Sequence, residues 1–264
     1  MLPKYFINIF IIFYIIASLI KKCEADYFCK FPTATKTVQQ STTIPVSGTK
    51  DFGYVRLVAT SALRKACTIP GSVNGKNIIE VEDGGHVKNV IIGDAAKGIW
   101  CKGGCTLENV FFEKICYHGA DLGNSADPTP KTYNIIGGGA RNAPDKIFTQ
   151  AGAGQTTITG FCAEGFGKCW RSCGMDCVQH QRSIKMTNCK FHGPGLSVIS
   201  LNTNLGDKMS ISNVFVDNSI SFLCQEYRGI RGITSEMHPT SECKPNENCA
   251  KTSCKFSPKA IKLI

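Results

Sequence analysis

Acidic side chains are scarce in this chain: 20 Asp and Glu stand against 30 Lys and Arg, a formal net charge of +10 over 264 residues. That imbalance argues against work on cationic surfaces and points to an acidic partner. Sustained helical periodicity is missing too, which argues against a helical bundle. After residue 25 no further apolar run reaches the roughly 20 residues that cross a bilayer, so the remaining chain is expected to be soluble and free of the membrane. Aromatic and basic residues are not interleaved, and no nucleic-acid-binding motif occurs. The expected partner is therefore an anionic polysaccharide and not a nucleic acid. Histidines number only five. His86, His180, His192 and His238 are scattered without an adjacent nucleophile, so they read as satisfied surface or turn residues. None stands at a metal-ligand offset from the cysteine pairs Cys101/Cys105 and Cys173/Cys177. Those pairs also have a spacer one residue longer than the common zinc spacing, so a zinc site is not expected. No linker-like segment interrupts the chain, and residues 26–264 are read as one domain, expected to be monomeric.

Residues 1–25 carry Lys4, a nearly uncharged apolar run and small residues before a cut after Ala25. This is the pattern of a secretory signal peptide, and it predicts a secreted, extracellular protein. Of the fifteen cysteines only Cys23 falls within that segment. The even, dense remainder predicts disulfides, whose pairing the sequence leaves open. Short β-prone runs then recur, beginning at Asn89, Asn109, Asn134, Thr156, Ile184 and Met209, about 20 to 28 residues apart. Each ends in or near a turn former. The spacing lies within the range of repeat architectures and predicts a disulfide-rich, all-β parallel β-helix whose rungs bury their apolar faces by stacking. Asn202, Asn204, Asn213 and Asn218 are candidates for a polar ladder along its turns. Residues 242–256, with Cys243, Cys249 and Cys254, are expected to cap one end. The run Gly137-Gly138-Gly139 lacks the Gly-Lys-Ser/Thr of a phosphate-binding loop and reads as a rung corner.

Several segments in order resemble one family. They are Glu82-Asp83-Gly84-Gly85-His86, Cys105-Thr106-Leu107-Glu108-Asn109-Val110, Gly137-Gly138-Gly139-Ala140, Asp145-Lys146, Phe166-Gly167-Lys168 and Arg171-Ser172-Cys173-Gly174. Together, over residues 77–229, they are similar to the small pectate lyases of polysaccharide lyase family 3. The resemblance implies a secreted right-handed parallel β-helix that cleaves de-esterified pectin by β-elimination with calcium. Elimination removes the proton on the carbon beside the uronate carboxylate, so developing negative charge must be stabilised by cations. By the match, Lys146, Lys168 and Arg171 hold the family's basic active-site positions. Lys146 is the expected base, while Lys168 and Arg171 are expected to bind carboxylate, the planar guanidinium by two-point contact.

The calcium ligands depart from the family pattern. Where the family carries an Asp and then a Glu-Asp pair, this chain has Lys97, Tyr117 and His118. Calcium takes several oxygen ligands, so the primary site is read as lost, with Asp121 a candidate displaced ligand beside the insertion at residues 123–130. Lys97 and His118 then become candidate substrate binders, His118 with some pH sensitivity. Three readings stay open: a lyase that uses its own cations, a non-catalytic pectin-binding homologue, and a solenoid that engages a protein partner.

Overall fold

The computed structural model describes residues 28–64, 76–173, 177–230, 238–249 and 253–264; the expected signal peptide lies outside them. The described residues form a parallel β-helix with seventeen strands among them. It opens with β1 (Thr37–Gln40), β2 (Ile44–Val46), β3 (Thr49–Ala59) and β4 (Asn77–Val81), followed by two long strands, β5 (Gly85–Cys101) and β6 (Cys105–Leu122). Shorter and longer strands then alternate: β7 (Lys131–Ile136), β8 (Gly139–Gln150), β9 (Gly154–Thr159), β10 (Cys162–Ser172), β11 (Arg182–Thr187) and β12 (Lys190–Asn202). The last rungs are β13 (Lys208–Ser212), β14 (Val214–Val216), β15 (Ile220–Tyr227), β16 (Ser241–Cys243) and β17 (Ile261–Leu263).

The long strands stack in parallel as β3, β5, β6, β8, β10, β12 and β15. A second parallel stack runs through β7, β9, β11 and β13. Every expected run falls in a strand. Strands this long would spear out of a small protein unless they bent, and Asn89 and Asn109 supply the bends. Both hold the left-handed conformation, φ 51° and 52°, which asparagine tolerates better than most residues. The bend explains why apolar residues double instead of alternating: Val87, Val90, Ile91 and Ile92 are all buried because the strand wraps around the core.

The turn ladder runs through different asparagines from most of those expected. Asn109 donates to Asn89 Oδ1 at 3.0 Å, Asn89 to Asp51 at 2.9 Å, and Asn213 to Asn188 Oδ1 at 2.7 Å. Gly137 and Gly160, also at positive φ, continue the line between the two asparagine pairs. A Cβ on Gly137 would lie 2.6 Å from Asn109 Oδ1, so a larger residue there would require the Asn109 amide to shift. Of the expected four, Asn213 belongs to the ladder. Asn202 instead accepts from Arg171, and Asn204 bonds the Gly229 backbone.

Inside the helix, Ile99, Ala120, Phe148, Trp170 and Ile199 are register partners on successive rungs, each at most 1% exposed. Burying one such aliphatic or aromatic side chain contributes about 2 kcal/mol before entropy is counted. Disulfides join Cys29 to Cys162, Cys101 to Cys105, Cys173 to Cys177, Cys224 to Cys254 and Cys243 to Cys249. Cys116 is disulfide-bonded as well. The even cysteine count overstates the bridging, because Cys169 and Cys189 are free thiols buried in the core. At the C-terminal end β16 pairs antiparallel with β15, and β17 adds to β14, so the last rungs are covered as expected of a cap.

Candidate active site

One column of the long-strand stack gathers most of the expected site residues. Lys97 on β5, His118 on β6, Lys146 on β8 and Lys168 on β10 are register partners in sequence, and Ser197 and Phe222 continue the line. Neighbouring strands lie about 4.8 Å apart, the spacing that places one charge per rung along a polymer. Lys97, Lys146 and Lys168 are partly exposed along it, whereas His118 and Ser197 are buried. A cleft of about 610 Å³ lined by Phe222, Lys244 and Asn246 begins where it ends. A second of about 550 Å³, lined by Lys131, His180 and Lys208, lies among other residues.

Two carboxylates thread the cations together. Asp121, three residues beyond His118 and opposite Trp100 and Thr149, meets Lys97 Nζ at 3.0 Å through one oxygen and His118 Nδ1 at 2.6 Å through the other. Asp145 meets Lys146 Nζ at 2.6 Å and lies 3.4 Å from His118 Nε2, an ion-pair distance without hydrogen-bond geometry. Burial alone would raise the Asp121 carboxyl, but His118 and Lys97 overcome it and hold the group at about 2. Burial likewise would lower the His118 imidazole, yet Asp121 and then Asp145 leave it above its ordinary value. Tyr117 stacks on the His118 ring, centroids 3.9 Å apart and planes 11° from parallel, and lies within 5.4 Å of the Lys97 ammonium.

Lys168 stands apart from this chain of pairs. Among the described residues no carboxylate pairs with it; its ammonium donates instead to the Tyr227 hydroxyl, 59 residues away in sequence. That hydroxyl in turn donates to Gln225 at 3.1 Å. Desolvation, then the charges of Arg171 and Lys146, bring Lys168 down to about 7. Arg171 is only 4% exposed, its Nη1 donating to Asn202 Oδ1 at 2.9 Å and its guanidinium lying 3.9 Å from the Tyr227 ring centre. Burial lowers it to about 10, which leaves it charged at neutral pH. Arg171, expected to bind carboxylate directly, here lies against Tyr227 and Asn202, and its charge helps to lower Lys168.

The residues do not fit calcium at the family's position. Among the described residues, Lys97, Tyr117 and His118 supply no anionic oxygen, and all four oxygens of Asp121 and Asp145 are already ion-paired. Two unit charges 4 Å apart near a protein surface interact by about 4 kcal/mol, so a divalent ion beside the Lys97 ammonium would meet about twice that repulsion. Asp121 does reach the cluster, as the displaced-ligand reading requires, but as a partner of cations. The one grouping of three candidate metal donors among the described residues is Cys243, Glu247 and Cys249, and its sulfurs are joined in a disulfide.

Three of the four other histidines are satisfied away from the column, His86 by Glu108, His180 by the Ser125 carbonyl and His192 by Asp217, and His238 is exposed. Trp100 donates to the Gly123 carbonyl at 3.3 Å. Sequence reasoning passed over Tyr227, Asn202 and the bridging role of Asp145. The last had a signal in its position directly before Lys146; Tyr227 and Asn202 had none, because only the coiling of the chain brings them to the site.

Comparison with known proteins places this geometry. Residues 29–234 match the family model described as pectate lyase. A probable pectate lyase E of Aspergillus clavatus is 33% identical over 240 residues, covering 83% of this chain and 91% of the relative. A probable pectate lyase D of Neosartorya fischeri is 39% identical over 150 residues, covering 56% and 60%. The catalytic domain of pectate lyase PelI from Erwinia chrysanthemi superposes with a TM-score of 0.66 at 28% identity, covering 88% of this chain and 98% of that domain. PelI in complex with tetragalacturonic acid gives a TM-score of 0.64 at 28% identity, covering 86% and 70%.

Proposed function

The chain belongs to the pectate lyase family, and from that premise we propose that it is a secreted polysaccharide lyase that cleaves de-esterified pectin by β-elimination. The observation that carries the mechanism is Lys168, which bonds the Tyr227 hydroxyl, has no carboxylate partner among the described residues, and is held at about 7 by burial and by Arg171 and Lys146. A proton acceptor must be neutral before it acts, and catalysis is best served by a group that titrates near the working pH. Lys146, the base expected from the motif, holds an ion pair with Asp145. We therefore assign proton removal to Lys168 and uronate binding to Lys146 and Lys97, with Arg171 a positioning residue behind Lys168.

In this mechanism the neutral Lys168 amine takes the proton from the carbon next to the uronate carboxylate. The C–H electron pair becomes the new carbon–carbon double bond. The glycosidic bond breaks, its oxygen leaving with the electron pair and then taking a proton. Charge that builds on the carboxylate in the transition state is met by ammonium groups already fixed in place, which need no reorganisation. No step is routed through calcium, because the donors do not fit it.

Secretion is supported by disulfide chemistry: eleven described cysteines are bonded, as suits an oxidising compartment. Among the described residues no helix is long and apolar enough to cross a membrane. The reading also takes residues 26–264 as one domain and the protein as a monomer. The test is ultraviolet absorbance of unsaturated product on polygalacturonate at neutral pH, with Lys168→Ala and Lys146→Ala in parallel. Loss of turnover in Lys168→Ala with a neutral optimum in the parent is expected; near-normal turnover in Lys168→Ala would return the base to Lys146.

A further inference from the structure

We propose that this chain binds and cleaves polygalacturonate without calcium, the Lys97 ammonium standing as a fixed cation where a metal charge would otherwise be supplied. The inference rests on the lyase reading and adds to it the source of the neutralising charge.

Three observations meet at this point. Lys97 lies at the end of the charged column, in register with His118, and so reaches the same polymer face as Lys146 and Lys168. Its ammonium is held on two sides, by Asp121 Oδ2 at 3.0 Å and by the Tyr117 ring at 5.4 Å, which gives it a defined position in place of a solvated sweep. Its side chain is 12% exposed. A cation so enclosed has lost much of its water and acts on an incoming carboxylate at a lower effective dielectric than a surface lysine does.

The same contacts close the place to a metal. A hard divalent cation takes six to eight oxygen ligands. Asp121 and Asp145 have given all four of their oxygens to Lys97, His118 and Lys146. Freeing Asp121 for a metal would strand Lys97 and His118 beside it, both nearly out of water, and an uncompensated buried charge is costly. The ion pair and the metal are thus alternatives, and the side chains present select the ion pair.

One feature of an ammonium differs from calcium in a way that can be measured. A divalent metal would take several oxygen ligands, whereas an ammonium is a single point charge with three donors. Binding should therefore persist in chelator and weaken when the Lys97 charge is removed.

The experiment is calorimetric titration of the full secreted chain with tetragalacturonate, a ligand too short for calcium-driven gelling, in excess chelator and again with millimolar calcium chloride. Unsaturated product on polygalacturonate is read under both conditions. Affinity and turnover are expected to agree within about twofold, and calcium chloride alone should give neither binding heat nor a rise in Tm. A tenfold gain in either quantity on adding calcium, or saturable calcium binding by the protein, would overturn the proposal. Lys97→Met is expected to weaken tetragalacturonate binding about tenfold in chelator, and Lys97→Arg to retain it. Equal weakening by both, at unchanged Tm, would show that the charge is not what matters and would also overturn it. The lyase reading is read separately. Binding in chelator with no product under any condition sinks the lyase and leaves the metal-free site standing, whereas product only with calcium does the reverse.

Discussion

Lys146 and Lys168 face each other across β8 and β10, yet Asp145 pairs with the first and no carboxylate among the described residues pairs with the second. Two lysines of identical chemistry on neighbouring rungs are thereby given different work. The paired one is a fixed positive charge; the unpaired one, lowered to about 7, can take a proton. If Lys168 is the base, kcat/KM should rise with pH through about 7, because only the neutral amine accepts. Lys168→Ala should cost about 10² to 10⁴ in turnover, the usual worth of a positioned general base. Lys168→Arg should be similarly slow near neutrality. A rising limb that stays near 7 in Lys168→Ala would assign that ionisation to another group.

Asp145→Asn separates the two lysines by electrostatics alone. The Asp145 charge favours the protonated form of Lys168, so removing it should lower that group further and move the rising limb of the pH profile toward acid. Lys146 would lose its partner at the same time and hold the uronate less rigidly. The expected result is a higher KM with the rising limb at lower pH. A limb displaced toward alkali would contradict the assignment of that limb to Lys168.

Much of this was legible in the sequence, and the residues show where legibility ended. The rung period could be read because each rung must place apolar residues and a turn former at a fixed interval, and the runs at Asn89 and Asn109 begin on the bend itself. Of the ladder only Asn213 was legible, because glycine replaces asparagine at Gly137 and Gly160, and Asn202 and Asn204 have side chains that bond elsewhere. Lys146, Lys168 and Arg171 carried a motif. Their division of labour did not, since it depends on Tyr227 and Asn202, which reach the site only when β15 and β12 stack beside β10. The loss of calcium ligands was visible at Lys97, Tyr117 and His118. That Asp121 fills its valences with two of them is a fact of geometry.

Asp121 also gives the site a signature in stability. Its carboxyl titrates at about 2 in the folded chain against an ordinary 3.8. A group lowered on folding stabilises the native state above its unfolded value and loses that contribution as pH falls through the folded one. The difference corresponds to about 2 kcal/mol, present near neutrality and lost between about pH 4 and 2. Asp121→Asn should therefore destabilise the protein by about 2 kcal/mol at pH 7 in urea titrations and flatten the acid limb of its stability profile. A variant as stable as the parent at pH 7 would mean that the pair with Lys97 and His118 is compensated elsewhere.

The ladder yields a prediction with an unusual ordering. In an ordinary strand, glycine is worse than alanine because it adds backbone freedom to the unfolded chain and packs nothing. Asn109 is different: it sits at φ 52° and donates to Asn89 at 3.0 Å. Asn109→Ala loses the hydrogen bond, about 1 kcal/mol, and forces a Cβ into the left-handed region, about another 1 to 2 kcal/mol. Asn109→Gly loses the bond but not the conformation, as the neighbouring rung already does with Gly137. Alanine should therefore cost about 2 to 3 kcal/mol and glycine about 1, measured by chemical denaturation of both variants beside the parent. If alanine proves the milder change, the strand does not need the left-handed bend at this position, and the corner must be set by the packing of Val110 and Phe112 against the core.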